Sequence, residues 1–201
     1  MPLGGPSTVA RVSPAALDRA LELAGTAVHL DPGLPQARAQ LGSVLVFKRR
    51  HDAAIAEFER ALALNPNFID HRYPPALIYA GEPARAIEVL GANIRLDPFP
   101  WPHAFGSMGL ANYMLKRYDE AVRWCGEHAS RLPNFQAAHL SLAAAYAQLG
   151  RLEEATAEAA QVLRINPGFT IERHKRVWVH KDPKDLEHCL DGLRKAGLPE
   201  S

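Results

Sequence analysis

The chain has 201 residues, and its 23 basic and 22 acidic side chains leave a formal net charge of +1 at pH 7. This balance, without a clustered basic face, argues against nucleic acid as a partner, and the lack of an apolar run of 18 residues argues against a membrane partner. No basic and apolar leader is visible at the N-terminus, so we expect a cytoplasmic protein whose two cysteines are reduced.

Five helical segments share one spacing, an alanine followed twelve residues later by a proline that ends the segment. Proline cannot continue the helical hydrogen bonds, and it disfavours a helical conformation in the residue before it. The prolines recur at intervals of 34, 32, 35 and 34 residues, and a period near 34 is typical of stacked helix-turn-helix repeats. The pairs are Ala20 and Pro32, Ala54 and Pro66, Ala86 and Pro98, Ala121 and Pro133, and Ala155 and Pro167.

The N-terminal part of the chain supplies only half a repeat. Residues 1–12 are rich in glycine and proline and are predicted to be disordered. Ser13 and Pro14 favour a helix start, because serine caps a helix and proline suits its first turn. Residues 13–34 are therefore predicted to hold the second helix of a repeat alone. Either its partner helix has been lost upstream, or one face of this helix is left unpaired.

Four further repeats follow, and one of them is irregular. Pro74 and Pro75 fall where the first helix of that repeat should run. Because proline inside a helix costs about 3 kcal/mol or more, this helix should begin late, near Pro75, or be kinked. The repeats are predicted at residues 35–68, 67–101, 102–135 and 136–169.

Residues 170–201 are predicted to form C-terminal capping helices. Residues 170–180 are expected to form one helix, and Pro183 to start a second that stops at Gly197. An amphipathic second helix would cover the last repeat and keep a polar face toward water, as terminal repeats require. Its predicted inner stripe consists of Leu186, Leu190 and Leu193.

A pattern of small and large side chains recurs within the repeats. It reads Leu142, Ala143, Tyr146, Gly150, Ala155, Ala159 and Pro167 in residues 136–169, and Leu41, Gly42, Leu45, Ala54, Phe58, Ala61 and Pro66 in residues 35–68. This pattern resembles the tetratricopeptide repeat (TPR). The resemblance implies an all-α, right-handed superhelical TPR solenoid of stacked antiparallel helix pairs with a C-terminal capping helix.

A narrower resemblance covers roughly residues 15–199. The segments INPGFTIER and KDPKDLEHCLDGLRKAGLPE are similar to the C-terminal TPR region of bacterial class III adenylate/guanylate cyclases, and the tail is the most specific part. In that family a cyclase domain precedes the repeats, and the residues before residue 15 are too few to hold one. The resemblance implies a regulatory or interaction module without cyclase activity.

TPR arrays line a concave groove with the first helices of their repeats. The resemblance implies that the equivalent residues of this chain line such a groove. Their side chains would suit an apolar peptide or an amphipathic helix of a protein partner. The implied groove residues are Gln36, Gln40, Ser43, Phe47, His71, Arg72, Tyr79, His103, Ser107, Leu110, Tyr113, Met114, Leu140, Ser141 and Gln148.

TPR proteins that clamp the C-termini of chaperones use Lys and Asn at repeat positions 5 and 9, and Lys and Arg at positions 2 and 6. In this chain the first pair is replaced by Ala39 and Ser43 in residues 35–68. The second pair is replaced by His103 and Ser107. Binding of a chaperone tail is therefore disfavoured.

The sequence contains no recognisable catalytic site. Its nine histidines are dispersed, and neither HExxH nor Cys-x-x-Cys spacing occurs. No catalytic residue, metal ligand or cofactor is predicted. Two alternatives remain: a homo-oligomer formed through the unpaired first helix, and, less favoured, an enzyme with a groove site at His71 or His103.

Overall fold

The computed structural model describes residues 13–97 and 99–201, and the disorder predicted for residues 1–12 lies outside this range. Every regular element within it is an α-helix. The described residues form two compact units. The N-terminal unit comprises residues 13–97 and 179–182, and the C-terminal unit comprises residues 99–178 and 183–201. No helix in the described range combines the length and apolar composition that a membrane crossing needs.

The N-terminal unit contains five helices, each packed against the next along the chain. Proline occupies the first turn of four of them, where its missing N–H would have no helical partner in any case. The helices are α1 (Pro14–Leu30), α2 (Pro35–Phe47), α3 (His51–Leu64), α4 (Tyr73–Tyr79) and α5 (Pro83–Leu96).

The irregular repeat has a shortened first helix. Helix α4 has seven residues and begins at Tyr73, so that Pro74 and Pro75 lie in its first turn. In this position neither proline interrupts a helical hydrogen bond. Tyr73 and Pro74 are buried, and the Tyr73 ring stacks on Phe58 at 5.2 Å between centroids.

The C-terminal unit contains two complete helix pairs followed by two further helices. Helix α6 packs against α7, α7 against α8, and α8 against α9. Helix α11 packs against α8 and α10. The bounds are α6 (Pro102–Met114), α7 (Tyr118–Arg131), α8 (Gln136–Gln148), α9 (Leu152–Ile165), α10 (Ile171–Lys175) and α11 (Pro183–Lys195).

Helix α10 is shorter than the sequence predicts. It begins after Thr170, whose side chain accepts a hydrogen bond from the backbone N–H of Arg173, and it ends at Lys175 instead of near residue 180. The following residues Val177, Trp178 and Val179 are β-branched or aromatic, and such residues favour extended conformations over helix.

Each repeat turns from its first to its second helix through one residue with a positive φ. These residues are Arg49 (57°), Gly81 (89°), Lys116 (60°) and Gly150 (75°). In all four turns the next residue donates its backbone N–H to a carbonyl five residues earlier, which satisfies the end of the first helix. Glycine adopts this conformation without strain, whereas at Arg49 and Lys116 the turn imposes it on a residue with a Cβ.

The two helices of a repeat approach closely where a small residue faces the partner helix. A Cβ atom on Gly109 would lie 2.3 Å from the Cys125 sulfur, and one on Gly42 would lie 3.0 Å from the Phe58 ring. The alanines that occupy one equivalent position in four second helices are fully buried. They are Ala54, Ala86, Ala121 and Ala155.

Both cysteines are buried free thiols, in agreement with the reduced state expected from the sequence. Burial raises the pKa of Cys125 to about 12, and burial, with a smaller contribution from Asp185, raises the pKa of Cys189 to about 12. Both side chains therefore act as small apolar groups at neutral pH.

A matched pair of glycine substitutions tests the close approach in the C-terminal unit. We expect Gly109→Ala to lower the free energy of unfolding by about 1–3 kcal/mol, because its Cβ would overlap the Cys125 sulfur. Gly126→Ala, on α7 with open space around the new Cβ, should instead stabilise by about 1 kcal/mol through helix propensity. Urea denaturation of both variants measures the difference, and equal effects would contradict the packing argument.

Candidate functional site

Helix α2 presents one row of side chains to the surface of the N-terminal unit. Gln36, Gln40 and Phe47 are exposed and Ser43 is half-buried, and their spacing places them on successive turns of one face. Phe47 is 52 % exposed and is one of several large apolar side chains at the surface of the described residues. The opposite face of α2, which includes the buried Gly42 and Leu45, packs inside the unit.

Arg72 joins this row to the start of α4. Its guanidinium donates to the Gln40 side-chain oxygen at 2.6 Å and makes two hydrogen bonds to the Asp70 carboxylate, at 2.9 and 2.6 Å. Burial raises the pKa of Asp70, but the hydrogen bonds from Arg72 outweigh burial and leave this pKa below its usual value. Arg72 is thus held in a fixed position beside Gln40.

Residues 179–182, from near the end of the chain, lie against α3 and α4 of the N-terminal unit. The backbone N–H of Lys181 donates to the Tyr79 carbonyl at 2.8 Å, and the Lys181 ammonium pairs with Asp52 at 2.6 Å. The ring of His180 meets the Tyr79 ring edge-on, with 5.0 Å between centroids. Tyr79 is therefore already in contact with another segment of the same chain.

We call the surface formed by the α2 row, Gln36, Gln40, Ser43 and Phe47, and by Arg72 the α2–α4 surface. Seven of the residues that the sequence implied for a groove lie in the N-terminal unit, on α2, on α4 or directly before α4. They are Gln36, Gln40, Ser43, Phe47, His71, Arg72 and Tyr79.

In the C-terminal unit, helix α11 packs over six of the predicted groove residues of α6 and α8. Tyr113 and Leu140 are each only 3 % exposed. The TPR resemblance instead implied that both line an open groove. Leu110, Met114, Ser141 and Gln148 are half-buried. We call these six residues the α6–α8 seat.

Polar contacts hold α11 on the α6–α8 seat. The Tyr113 hydroxyl donates to the His188 carbonyl at 2.9 Å, and the Gln148 side-chain amide donates to the Asp191 carboxylate at 3.0 Å. The Lys195 ammonium donates to the Gln148 oxygen at 3.2 Å. Burial is the main cause that raises the pKa of Tyr113, so its hydroxyl remains protonated and acts as a donor.

His103 and Ser107 lie on α6, and His103 is surrounded by rings. Its Nδ1 lies 3.1 Å from Nε2 of the buried His128, and its ring meets those of Trp101 and Phe135 at 4.4 and 4.7 Å between centroids. Burial, with smaller contributions from His103 and His139, lowers the pKa of His128 to about 4. At neutral pH the His128 imidazole is therefore neutral, and His103 contacts residues of its own unit.

No three His, Cys, Asp or Glu side chains gather into a group that would hold a metal ion within residues 13–97 and 99–201. The close polar pairs of the C-terminal unit have packing roles. His139, for example, uses one ring nitrogen on Glu158 at 2.6 Å and the other on the Pro133 carbonyl at 3.0 Å.

The sequence predicts the apolar stripe of α11 and a capping role for residues 170–201, but the stripe alone does not predict that α11 contacts both α6 and α8. The available signal is Gly192, a helix-disfavouring residue between buried positions of α11. A Cβ there would lie 2.5 Å from the Tyr113 hydroxyl oxygen and 3.0 Å from the Ala144 Cβ, so glycine allows the contact with α8.

Models of the tetratricopeptide repeat match this chain at residues 35–68 and at residues 113–175. These matches support tetratricopeptide repeats in the two segments. A thermophilic TPR protein of Thermus thermophilus, TTC0263, aligns with a TM-score of 0.67 at 21 % identity, over 90 % of this chain and 91 % of that one. The predicted all-α fold of TPR helix pairs is thereby confirmed.

Two further TPR proteins are similar. YrrB, described as a TPR protein with an unusual peptide-binding site, aligns with a TM-score of 0.59 at 22 % identity, over 81 % of this chain and 84 % of that one. Hsp70-Hsp90 organizing protein 3 of Arabidopsis thaliana is 28 % identical over 185 residues, which cover 81 % of this chain and 32 % of that protein. This chain therefore spans about a third of the length of that relative. None of these proteins is a nucleotide cyclase, so the relation to cyclases stays a prediction.

The buried histidines predict a loss of stability in acid. Burial, with smaller contributions from His51 and Arg49, lowers the pKa of His180 to about 4, as burial does for His128. Between about pH 6.5 and 4 the unfolded chain binds protons that the folded chain does not, so stability falls as the pH falls. Each histidine should remove about 2 kcal/mol between pH 7.5 and 5.

Urea denaturation at both pH values, for the wild type and for His128→Gln and His180→Gln, measures this effect. Each variant should show a smaller loss between the two pH values, and all three proteins should have the same pH dependence above pH 7. A wild-type stability that is unchanged or higher at pH 5 would show that these histidines are not buried in their neutral form.

Proposed function

We propose that this chain is a non-catalytic TPR scaffold that binds a protein or peptide partner through the α2–α4 surface. The observation that carries the proposal is the exposed row on α2. Gln36, Gln40 and Phe47 reach the surface on one face, while the other face is used for packing within the repeat. An exposed aromatic ring among amide side chains suits an extended or helical peptide, with an apolar anchor beside hydrogen-bonding groups.

The arrangement around Arg72 supports the same proposal. Its side chain is held by Asp70 and Gln40, so little side-chain entropy remains to be lost when a partner binds. A peptide carbonyl or carboxylate would meet a donor that is already oriented. Phe47 would contribute apolar contact area, and the hydrogen bond from Arg72 would fix the orientation of the bound peptide.

Similarity to an Hsp70-Hsp90 organizing protein does not by itself extend to binding a chaperone tail. In the repeat at residues 35–68 the clamp positions hold Ala39, which is fully buried, and Ser43. Neither side chain supplies the positive charge that a C-terminal carboxylate needs. We therefore propose a partner that the α2–α4 surface recognises through Phe47, the glutamine amides and Arg72, without a chaperone clamp.

Three finer hypotheses accompany this proposal. A regulatory role beside a nucleotide cyclase rests on the resemblance of the tail and stays a prediction. Self-association through α1 also stays a prediction, and Leu23 and Leu30, which are 54 % and 78 % exposed, are the side chains it would use. A groove enzyme is the least favoured, because His103 is engaged by His128 and neighbouring rings.

A displayed library of random peptides, selected on the wild-type chain, tests the α2–α4 surface. We expect Phe47→Ala to weaken the selected peptides by about thirtyfold, the effect of removing an aromatic anchor worth about 2 kcal/mol. Arg72→Ala should weaken them as well. Fluorescence anisotropy with the labelled peptides gives the dissociation constants.

Leu64→Ala is the matched control, because Leu64 is also a large exposed apolar residue, at 45 % exposure, but lies at the end of α3. It should leave binding unchanged. If Leu64→Ala and Phe47→Ala have equal effects, the peptides bind elsewhere, and the proposed surface is wrong.

A further inference from the structure

We infer that α11 is an intramolecular ligand of the α6–α8 seat, and that this seat binds an amphipathic helix of a partner protein that displaces α11. This inference concerns the C-terminal unit and does not rest on the α2–α4 surface. It rests on the way α11 occupies its place. The helix covers six of the residues of α6 and α8 that the TPR resemblance implies for ligand binding, including Tyr113 and Leu140.

The buried face of α11 has the chemistry of a docked peptide helix. Cys189, Leu190 and Leu193 are buried at positions i, i+1 and i+4 of the helix. Gly192 lets the backbone approach Ala144 and the Tyr113 hydroxyl. The outer face carries charged residues such as Glu187 and Arg194, which pair with each other. A partner helix needs the same features, namely two leucines three residues apart with a small residue between them.

The contacts at the edges of the seat are those of a ligand site. The Tyr113 hydroxyl binds a backbone carbonyl of α11, and the Gln148 amide binds a side chain, Asp191. A carbonyl is present in any helix, so Tyr113 would accept a foreign helix, whereas Gln148 would favour one with an acidic residue at the position of Asp191. The Gln148 amide also donates to the Tyr113 hydroxyl at 3.3 Å, so the two groups form one polar edge of the seat.

The fit of α11 is incomplete, which leaves room for a better ligand. A partly open apolar pocket of about 30 Å³ remains beside α11, lined by Leu110, Leu140, Trp178 and Cys189 among others. A larger apolar side chain at the position of Cys189 would fill it. By the usual cost of an unfilled cavity, such a helix should bind about threefold more tightly than the sequence of α11.

The covalent connection explains why α11 occupies the seat in the isolated chain. A tethered segment acts at an effective concentration in the millimolar range. A free helix of equal intrinsic affinity in the micromolar range should therefore bind the wild-type chain roughly a hundredfold more weakly than a chain whose own α11 cannot return.

The experiment uses a fluorescein-labelled synthetic peptide of residues 182–199 as the probe. Its binding is measured by anisotropy to the full wild-type chain and to the full-length double variant Leu190→Glu/Leu193→Glu, in which the buried face of α11 is made acidic. We expect the peptide to bind the double variant at least a hundredfold more tightly than the wild type. Glu187→Ala, a change on the outer face of α11, should behave as the wild type.

Two altered peptides define the seat. The peptide with Gly192→Leu should lose binding, because the new side chain would meet Ala144 and Tyr113. The peptide with Cys189→Met should gain about threefold through the cavity. If the original peptide binds the double variant and the wild type equally, or if it binds neither while the variant melts cooperatively, the inference is wrong.

Hydrogen exchange on the wild-type chain decides the matter if the double variant does not fold. The amides of α11 should exchange faster than those of α8 and α9, because α11 leaves its seat without global unfolding. Equal protection of the three helices would overturn the inference. Light scattering that showed a dimer with exchanged α11 would also overturn it, because the occupant would then be a second copy of this chain.

Discussion

The structure depends on the close approach of two helices at a small residue. A Cβ atom on Gly109 would overlap the Cys125 sulfur at 2.3 Å, and one on Gly42 would crowd the Phe58 ring at 3.0 Å. The buried alanines at one position of the second helices serve the same purpose, so each pair of backbones can come near enough to exclude water. Phe58 and Cys125 occupy the same position in the repeats at residues 35–68 and 102–135. In the second of these repeats a sulfur therefore fills the place that an aromatic ring fills in the first.

The candidate binding surfaces follow from this packing. Because one face of each first helix is used for the second helix, the other face is left for something else. On α2 that face is exposed and carries Phe47 and two glutamines. On α6 and α8 it holds α11, again with a glycine, Gly192, at the nearest point. A glycine at the point of closest contact therefore allows two helices to pair within a repeat, and it also allows α11 to pack on the first helices of two repeats.

The repeating part of the fold could be predicted because it is written in local spacing. Alanine and proline at a constant interval fix where second helices pack and end, and the paired prolines 74 and 75 fix the late start of α4. Gly81 and Gly150 also indicate their turns, but Arg49 and Lys116 do not, because there the hydrogen bonds of the turn impose the positive φ. The contact of α11 with Tyr113 spans 75 residues, and no local pattern encodes such a pairing.

The hydrogen bond and ion pair of Lys181 have a consequence for the order in which the chain assembles. Repeat proteins make mostly local contacts and can form from the N-terminus as the chain is synthesised. Lys181, however, pairs with Asp52 across 129 residues, and its backbone binds the Tyr79 carbonyl. Helices α1 to α5 can therefore pack long before their unit is complete. Until the ribosome has released residue 182, the place beside Tyr79 is open to any other extended segment in the nascent chain or in its surroundings.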